Sequence, residues 1–154
     1  MGMRSAGEGL VVASIAAIPL AALVLAAAAC AGVAACEPVL DAICHRIPER
    51  SLSWSSGMAF PLCARCTGLW AGAFAGVLVS SARSVVAVRA IPSAWWIALA
   101  ATVIGLADGL GHVLGFWDTS NTARIFSGGV LGAGAFFLAG AVARTLVIHA
   151  AEVP

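Results

Sequence analysis

The sequence predicts an all-α integral membrane protein, a bundle of four transmembrane helices with a long structured loop between the first and second helices. Hydrophobic residues make up 62% of the 154-residue chain, and the mean hydropathy is +1.03, which is far above the range of soluble proteins. Charged residues are only 10% of the chain, and they separate four apolar runs long enough to cross a bilayer. We therefore expect a single membrane domain over residues 1–154.

The four predicted helices cover about residues 10–36, 66–88, 93–117 and 122–148, and the loop that carries the motifs covers 37–65. A helix that crosses the ~30 Å hydrocarbon core needs about 20 mostly apolar residues. The first apolar run is too long for an ordinary signal-peptide core. We therefore expect an uncleaved first helix, although Val33-Ala34-Ala35-Cys36 is similar to a lipoprotein processing site.

Glycines recur four residues apart within the predicted helices. Such series are Gly68, Gly72 and Gly76, Gly105 with Gly109, Gly111 with Gly115, and Gly128 with Gly132. Small residues at this spacing let transmembrane helices approach each other closely. The glycines therefore predict a closely packed bundle.

The two polar loops are predicted to lie on the same side of the membrane. Four spans place segments 37–65 and 118–124 together, and most of the ionisable side chains lie on that side. The arginines are divided equally between the two sides, so the positive-inside rule does not orient the chain. Because the arginines on this side lie within polar motifs, where a site can require them, we expect both termini to be cytoplasmic. The chain is thus predicted to be a multi-pass protein of the cell membrane.

Three cysteines and one histidine lie in the long loop or directly after it. It carries Cys44-His45-Arg46, and Cys63-Ala64-Arg65-Cys66 follows where the second helix begins. Thiolates and imidazoles are the ligands that zinc prefers, and two cysteines separated by two residues have the spacing of many zinc sites. We therefore predict a metal site that suits zinc, with the ligands Cys44, His45, Cys63 and Cys66.

Two other interpretations of these cysteines stay open. Cys63 and Cys66, at a helix N-terminus beside Arg65, can form a reactive dithiol, because positive surroundings favour the thiolate. This predicts a membrane thiol-disulfide oxidoreductase that exchanges electrons with a quinone. The same pair can instead form a structural disulfide that fixes the loop.

The third predicted helix carries a carboxylate and an imidazole. Asp108 and His112 are four residues apart and lie on one helical face. Asp108 falls within the apolar slab, where a charged group normally faces a partner in the bundle interior. It is predicted either to bind a proton or a cation, or to pair with Arg65 or Arg124. Neighbouring residues such as Cys44 and His45 seldom both bind one ion. The alternatives for the fourth metal ligand are therefore water, Asp108 and His112.

Asn121 and Arg124 lie where the fourth predicted helix begins. Asparagine is a common N-cap residue, whereas the helix dipole disfavours a cation at this end. We therefore expect Arg124 to pair with a carboxylate or an anionic ligand. Together with Arg50 and Arg65, these two residues are predicted to line the mouth of the bundle.

These motifs resemble those of a prokaryotic membrane-protein family, domain of unknown function 2085. The similarity covers about residues 40–135. The matching residues are Cys44-His45-Arg46, Pro48-Glu49-Arg50-Ser51, Pro61-Leu62-Cys63-Ala64-Arg65-Cys66-Thr67-Gly68, Asp108, Asn121, Arg124 and Gly128. The resemblance implies a small polytopic membrane protein and supplies no established activity.

The lipid bilayer is the predicted partner of this chain. All eight cationic residues are arginines and are scattered, so no basic patch predicts nucleic-acid binding. A third functional hypothesis is an accessory subunit without chemistry of its own, bound to a larger membrane complex or to further copies of itself. Its loop motifs would then present a surface to the partner.

Overall fold

A computed structural model describes residues 2–44, 47–53, 59–81 and 92–150. Within these ranges the chain is mostly helical, and its α-helices are α1 Gly2–Cys30, α2 Glu37–Ile43, α3 Ala64–Ser81, α4 Pro92–Val113 and α5 Asn121–Ala150. The loop between α1 and α3 also contains a small antiparallel hairpin, with strands β1 Ser51–Ser53 and β2 Ala59–Cys63. The all-α prediction therefore misses one short sheet.

Three helices within the described ranges are long and apolar enough to cross a membrane. The apolar stretches are Ala13–Cys30 in α1, Trp95–Val113 in α4 and Asn121–Ala143 in α5. The second predicted span, residues 66–88, corresponds to α3, whose described part ends at Ser81. Its predicted continuation to residue 88 lies outside the described residues.

The end of α1 is set by a glycine turn. Gly32 has a φ of +83°, and the next backbone N–H, of Val33, donates to the Ala28 carbonyl at 3.1 Å. Glycine adopts this left-handed conformation without steric cost, so the last carbonyls of a helix gain partners and the chain turns away. The first helix consequently ends at Cys30, earlier than the predicted residue 36.

The same turn ends α4. Gly115 has a φ of +76°, and the Phe116 N–H donates to the Gly111 carbonyl at 2.9 Å. The helix α4, which is the third predicted span, therefore ends at Val113, whereas its predicted end was residue 117. The turn sends Trp117 back over the end of α4, where its ring lies against Gly111.

The closest helix contact joins α3 to α5. A Cβ atom at Gly68, Gly72 or Gly76 would lie only 2.1 to 2.3 Å from a carbonyl oxygen of α5. Gly128 and Gly132 are as close to carbonyl oxygens of α3. The two backbones thus touch along most of α3, as the spacing of these glycines predicts.

The helix α4 packs on the other side of α5 through fewer such contacts. A Cβ at Gly105 would lie 2.5 Å from the Leu131 side chain, whereas a Cβ at Gly109 would meet no atom within 4 Å. The Gly105 and Gly109 pair is therefore not a continuous packing series. Its second member faces open space.

The long loop is held to the bundle by an apolar cluster. Its buried members are Ala26 of α1 and Cys36, Leu40, Cys44 and Leu62 of the loop. The hairpin register pairs Ser51 with Cys63. Packing of the loop against α1 thus brings the end of α2, the end of β2 and the start of α3 together.

Candidate metal centre

Three cysteines from three different elements form a cluster at one end of the bundle. Cys44 directly follows α2 in an extended conformation, Cys63 is the last residue of β2, and Cys66 lies in the first turn of α3. Their Sγ atoms all lie within 4.8 Å of one another. The hairpin makes this possible, because it returns the chain to Cys44 after a separation of 19 residues.

Hydrogen bonds and packing hold the cluster in place. The Cys63 N–H donates to Cys44 Sγ at 3.2 Å, and Cys66 Sγ lies 3.9 Å from the Ile43 carbonyl oxygen. Cys44 is 3% exposed, whereas Cys63 and Cys66 are half-buried. All five cysteines of the chain lie within the described residues, and none forms a disulfide.

The geometry of the cluster suits a metal ion. Zinc–sulfur bonds are about 2.3 Å, so the sulfurs of a tetrahedral thiolate site lie about 3.8 Å apart. The sulfurs are within 4.8 Å of one another, so each pair would have to close by at most about 1 Å, which small side-chain rotations can supply. The three thiols can therefore hold a metal ion.

The other candidate metal ligands are His45, Asp108 and His112. His45 lies outside the described residues. Asp108 and His112 are described, and neither belongs to the group of thiols within 4.8 Å of one another. Both side chains form hydrogen bonds with other groups at the mouth of the bundle.

Asp108 is the ionic partner of Arg65. The Arg65 guanidinium donates to Asp108 Oδ2 at 2.7 Å, and the two side chains are only 20% and 22% exposed. Trp117 Nε1 donates to the other carboxylate oxygen at 3.3 Å. Both oxygens of the carboxylate thus accept hydrogen bonds. The structure contains one of the two predicted roles of Asp108, the ion pair, and this pair links α3 to α4.

His112 has one ring nitrogen bonded and the other without a partner. Its Nδ1 lies 3.2 Å from the Trp117 carbonyl oxygen and 3.6 Å from Asp118 Oδ1. Because a carbonyl only accepts, the Nδ1 carries the proton in the neutral ring and the Nε2 carries the lone pair. The Nε2 is buried and has no hydrogen-bond partner among the described residues.

Arg124 pairs with the carboxylate that the sequence predicts it to need. It is 7% exposed, donates to Asn121 Oδ1 at 2.9 Å and forms an ion pair with Asp118. Asn121 in turn donates to the Ser51 carbonyl oxygen at 3.3 Å. This bond joins the start of α5 to β1, so the described parts of the two polar segments meet at one end of the bundle.

The remaining candidate, Arg50, lies beside this network in sequence. It ends the 3₁₀ turn Pro48–Arg50 that leads into β1, and its backbone N–H donates to the Ile47 carbonyl at 3.0 Å. It is half-buried. The turn holds Arg50 next to the strand that Asn121 contacts.

Two residues of the mouth were not among the predicted site residues. Trp117 bonds to Asp108 and its carbonyl faces His112, and Asp118 is the partner of Arg124. The sequence signal for Trp117 was the neighbouring glycine pair: Gly111 leaves space for the indole ring and Gly115 allows the turn. The need of Arg124 for a carboxylate partner did not by itself distinguish Asp118 from Asp108 in the sequence.

Apolar helices with a thiol cluster at their polar mouth define a membrane protein. Residues 44–138 match the family described as predicted membrane protein (DUF2085), and the chain belongs to this family. The matched region begins at Cys44 and includes all three cysteines of the cluster.

Two archaeal proteins are similar to this chain. An uncharacterised protein of Methanothermobacter thermautotrophicus is 33% identical over 107 residues, which cover 70% of this chain and 92% of the relative. An uncharacterised protein of Methanocaldococcus jannaschii is 28% identical over 94 residues, which cover 61% of this chain and 59% of the relative. No solved structure matches the chain.

Proposed function

We propose that this membrane protein binds a thiophilic metal ion, zinc in the first instance, through Cys44, Cys63 and Cys66, with His45 or water as the fourth ligand. The observation that carries the proposal is the convergence of three sulfurs to within 4.8 Å of one another from three separate elements. A thiol packs well as a small apolar side chain, which can explain Cys44 alone. It does not explain why the two half-buried thiols gather around it.

The surroundings of the cluster also support thiolate ligands. A backbone N–H donates to Cys44 Sγ at 3.2 Å, and such a bond stabilises negative charge on sulfur. Three thiolates in partly buried surroundings would be costly without a cation to offset their charge. A divalent ion offsets two of the three charges, and a neutral fourth ligand, the His45 imidazole or water, would complete a tetrahedral site.

Elemental analysis and thiol counting on protein purified without oxygen test this proposal. We expect about one metal ion per chain and protection of three thiols from alkylation. Cys63→Ser should abolish the bound metal, because a site that has lost one of its three thiolates holds zinc far less tightly. The matched control is Cys30→Ser, since Cys30 is exposed and lies outside the cluster. Metal-free wild-type protein, or equal metal content in both variants, would contradict the proposal.

We further propose that α3 also crosses the membrane, which gives four transmembrane helices in all, and that both termini are cytoplasmic. The 18 residues of α3 extend about 27 Å at ~1.5 Å per residue, close to the ~30 Å of the hydrocarbon core. The glycines of α3 contact the spanning helix α5 at Gly68, Gly72 and Gly76. A helix in backbone contact with a spanning helix over this length lies in the same slab of membrane.

A membrane thiol-disulfide oxidoreductase is the second candidate. The half-buried Cys63 and Cys66 favour it, because a catalytic dithiol must be reached by its substrate. Sustained reduction of a quinone by the purified protein in the presence of a dithiol would identify this activity. Abolition of that turnover by Cys66→Ser, with Cys30→Ser unaffected, would assign it to the cluster.

A further inference from the structure

The three sulfurs of the thiol cluster differ in access to solutes. Cys44 is 3% exposed and belongs to an apolar cluster with Leu40 and Leu62, which are fully buried. Cys63 and Cys66 are half-buried at the edge of that cluster. A small dissolved reagent therefore reaches Cys63 and Cys66 before it reaches Cys44.

The sulfurs also differ in how they are held. Cys44 Sγ accepts the Cys63 N–H at 3.2 Å, whereas the backbone contact of Cys66 Sγ is a long one, 3.9 Å to the Ile43 carbonyl, and its other partners are the thiols of Cys44 and Cys63. A disulfide requires an S–S distance of about 2.05 Å. Cys63 and Cys66 are separated by two residues at the junction of β2 and α3, and this spacing closes readily into a disulfide in redox proteins.

We propose that Cys63 and Cys66 are a redox modification site, at which a peroxide releases the bound metal. This inference rests on the proposed metal site. Two thiolates form one S–S bond and give up two electrons, the O–O bond of hydrogen peroxide breaks, and two protons convert its oxygens into two molecules of water. The metal then retains only one of its three cysteine ligands, Cys44, and dissociates.

Cys44 has the opposite role in this site. The burial of Cys44 protects it from the oxidant. The hydrogen bond from the Cys63 N–H holds the Cys44 sulfur in place while the other two sulfurs react. Reduction of the disulfide by a thiol returns two thiolates beside a third that has not moved. The site can therefore bind metal again without refolding of the loop.

Peroxide titration of the full-length, zinc-loaded protein in detergent tests the inference. One equivalent of hydrogen peroxide should release one equivalent of zinc to a chromogenic chelator. Alkylation followed by peptide mass spectrometry should then show a Cys63–Cys66 disulfide and an alkylated Cys44. A thiol reductant with added zinc should restore the original zinc content. Retention of zinc after peroxide is consumed, or a main disulfide that includes Cys44, would overturn the inference.

Two further measurements separate this inference from the proposed metal site. If the reduced protein binds no zinc, the metal proposal fails, and peptide mapping of the metal-free protein still shows whether peroxide links Cys63 to Cys66. If zinc binds and peroxide does not release it, only the redox inference fails. The Cys44→Ser variant should still form the Cys63–Cys66 disulfide, and loss of that disulfide would show that Cys44 takes part in the oxidation. Cys30→Ser should behave as the wild type.

Discussion

The contact between α3 and α5 depends on positions without side chains, and Gly72→Ala tests that dependence. A Cβ at position 72 would lie 2.1 Å from the Gly129 carbonyl oxygen and 2.8 Å from its Cα, whereas ordinary contacts begin at 3.4 Å. The obstacle is backbone on both helices, so no side chain can rotate away. The helices would have to separate by about 1.3 Å, the difference between the shortest of these distances and an ordinary contact.

This separation affects more than one position. The same face of α3 touches α5 at Gly68 and Gly76, and a gap of 0.5 to 1 Å already loses roughly a quarter to a half of the dispersion energy of a contact. Overpacking usually costs about 1–3 kcal/mol. Because both surfaces are rigid backbone, we expect the upper end, a loss of about 3 kcal/mol in the free energy of unfolding.

Unfolding in mixed micelles by a denaturing detergent, followed by circular dichroism, measures this loss. The matched control is Gly109→Ala, where the new methyl group would meet no atom within 4 Å. There we expect no loss, and a gain of up to about 1 kcal/mol from the higher helix propensity of alanine. If Gly72→Ala lowers the free energy of unfolding no more than Gly109→Ala does, the backbone contact is not what holds α3 to α5.

Two further predictions concern the ion pair and the topology. Asp108→Asn leaves the Arg65 guanidinium without its counter-ion in partly buried surroundings. The free energy of unfolding in the same micelles should therefore fall by about 1–3 kcal/mol. An unchanged value would show that the ion pair contributes nothing to stability. For the topology, a fluorescent protein fused after Pro154 should fluoresce and an alkaline phosphatase at the same position should be inactive, because each reporter works on one side of the membrane only. The reverse pair of results would place the termini outside.

The class of this protein follows from local properties of its sequence. The scarcity of charge and the length of the apolar runs identify a helical membrane protein without any knowledge of contacts, because each span satisfies its own backbone hydrogen bonds. The same holds for the need of a partner at Asp108 and Arg124. A charge in an apolar slab or at the wrong end of a helix is unfavourable wherever the rest of the chain lies.

The choice among partners required the tertiary structure. Asp108 pairs with Arg65 and Arg124 with Asp118, although the sequence allows Asp108 to pair with either arginine. The selection depends on how far each helix is rotated and where it ends, and the Gly115 turn that ends α4 is part of that geometry.

The tertiary structure also determines which residues form the thiol cluster. The sequence predicts the ligands Cys44, His45, Cys63 and Cys66 by residue type and spacing. The fold brings the three sulfurs within 4.8 Å of one another, and His45 lies outside the described residues. Asp108 and His112 are predicted alternative fourth ligands, and in the fold Asp108 pairs with Arg65 while His112 bonds to the Trp117 carbonyl. Residue type determines which groups can bind an ion, and only the packing of the loop against α1 determines which of them meet.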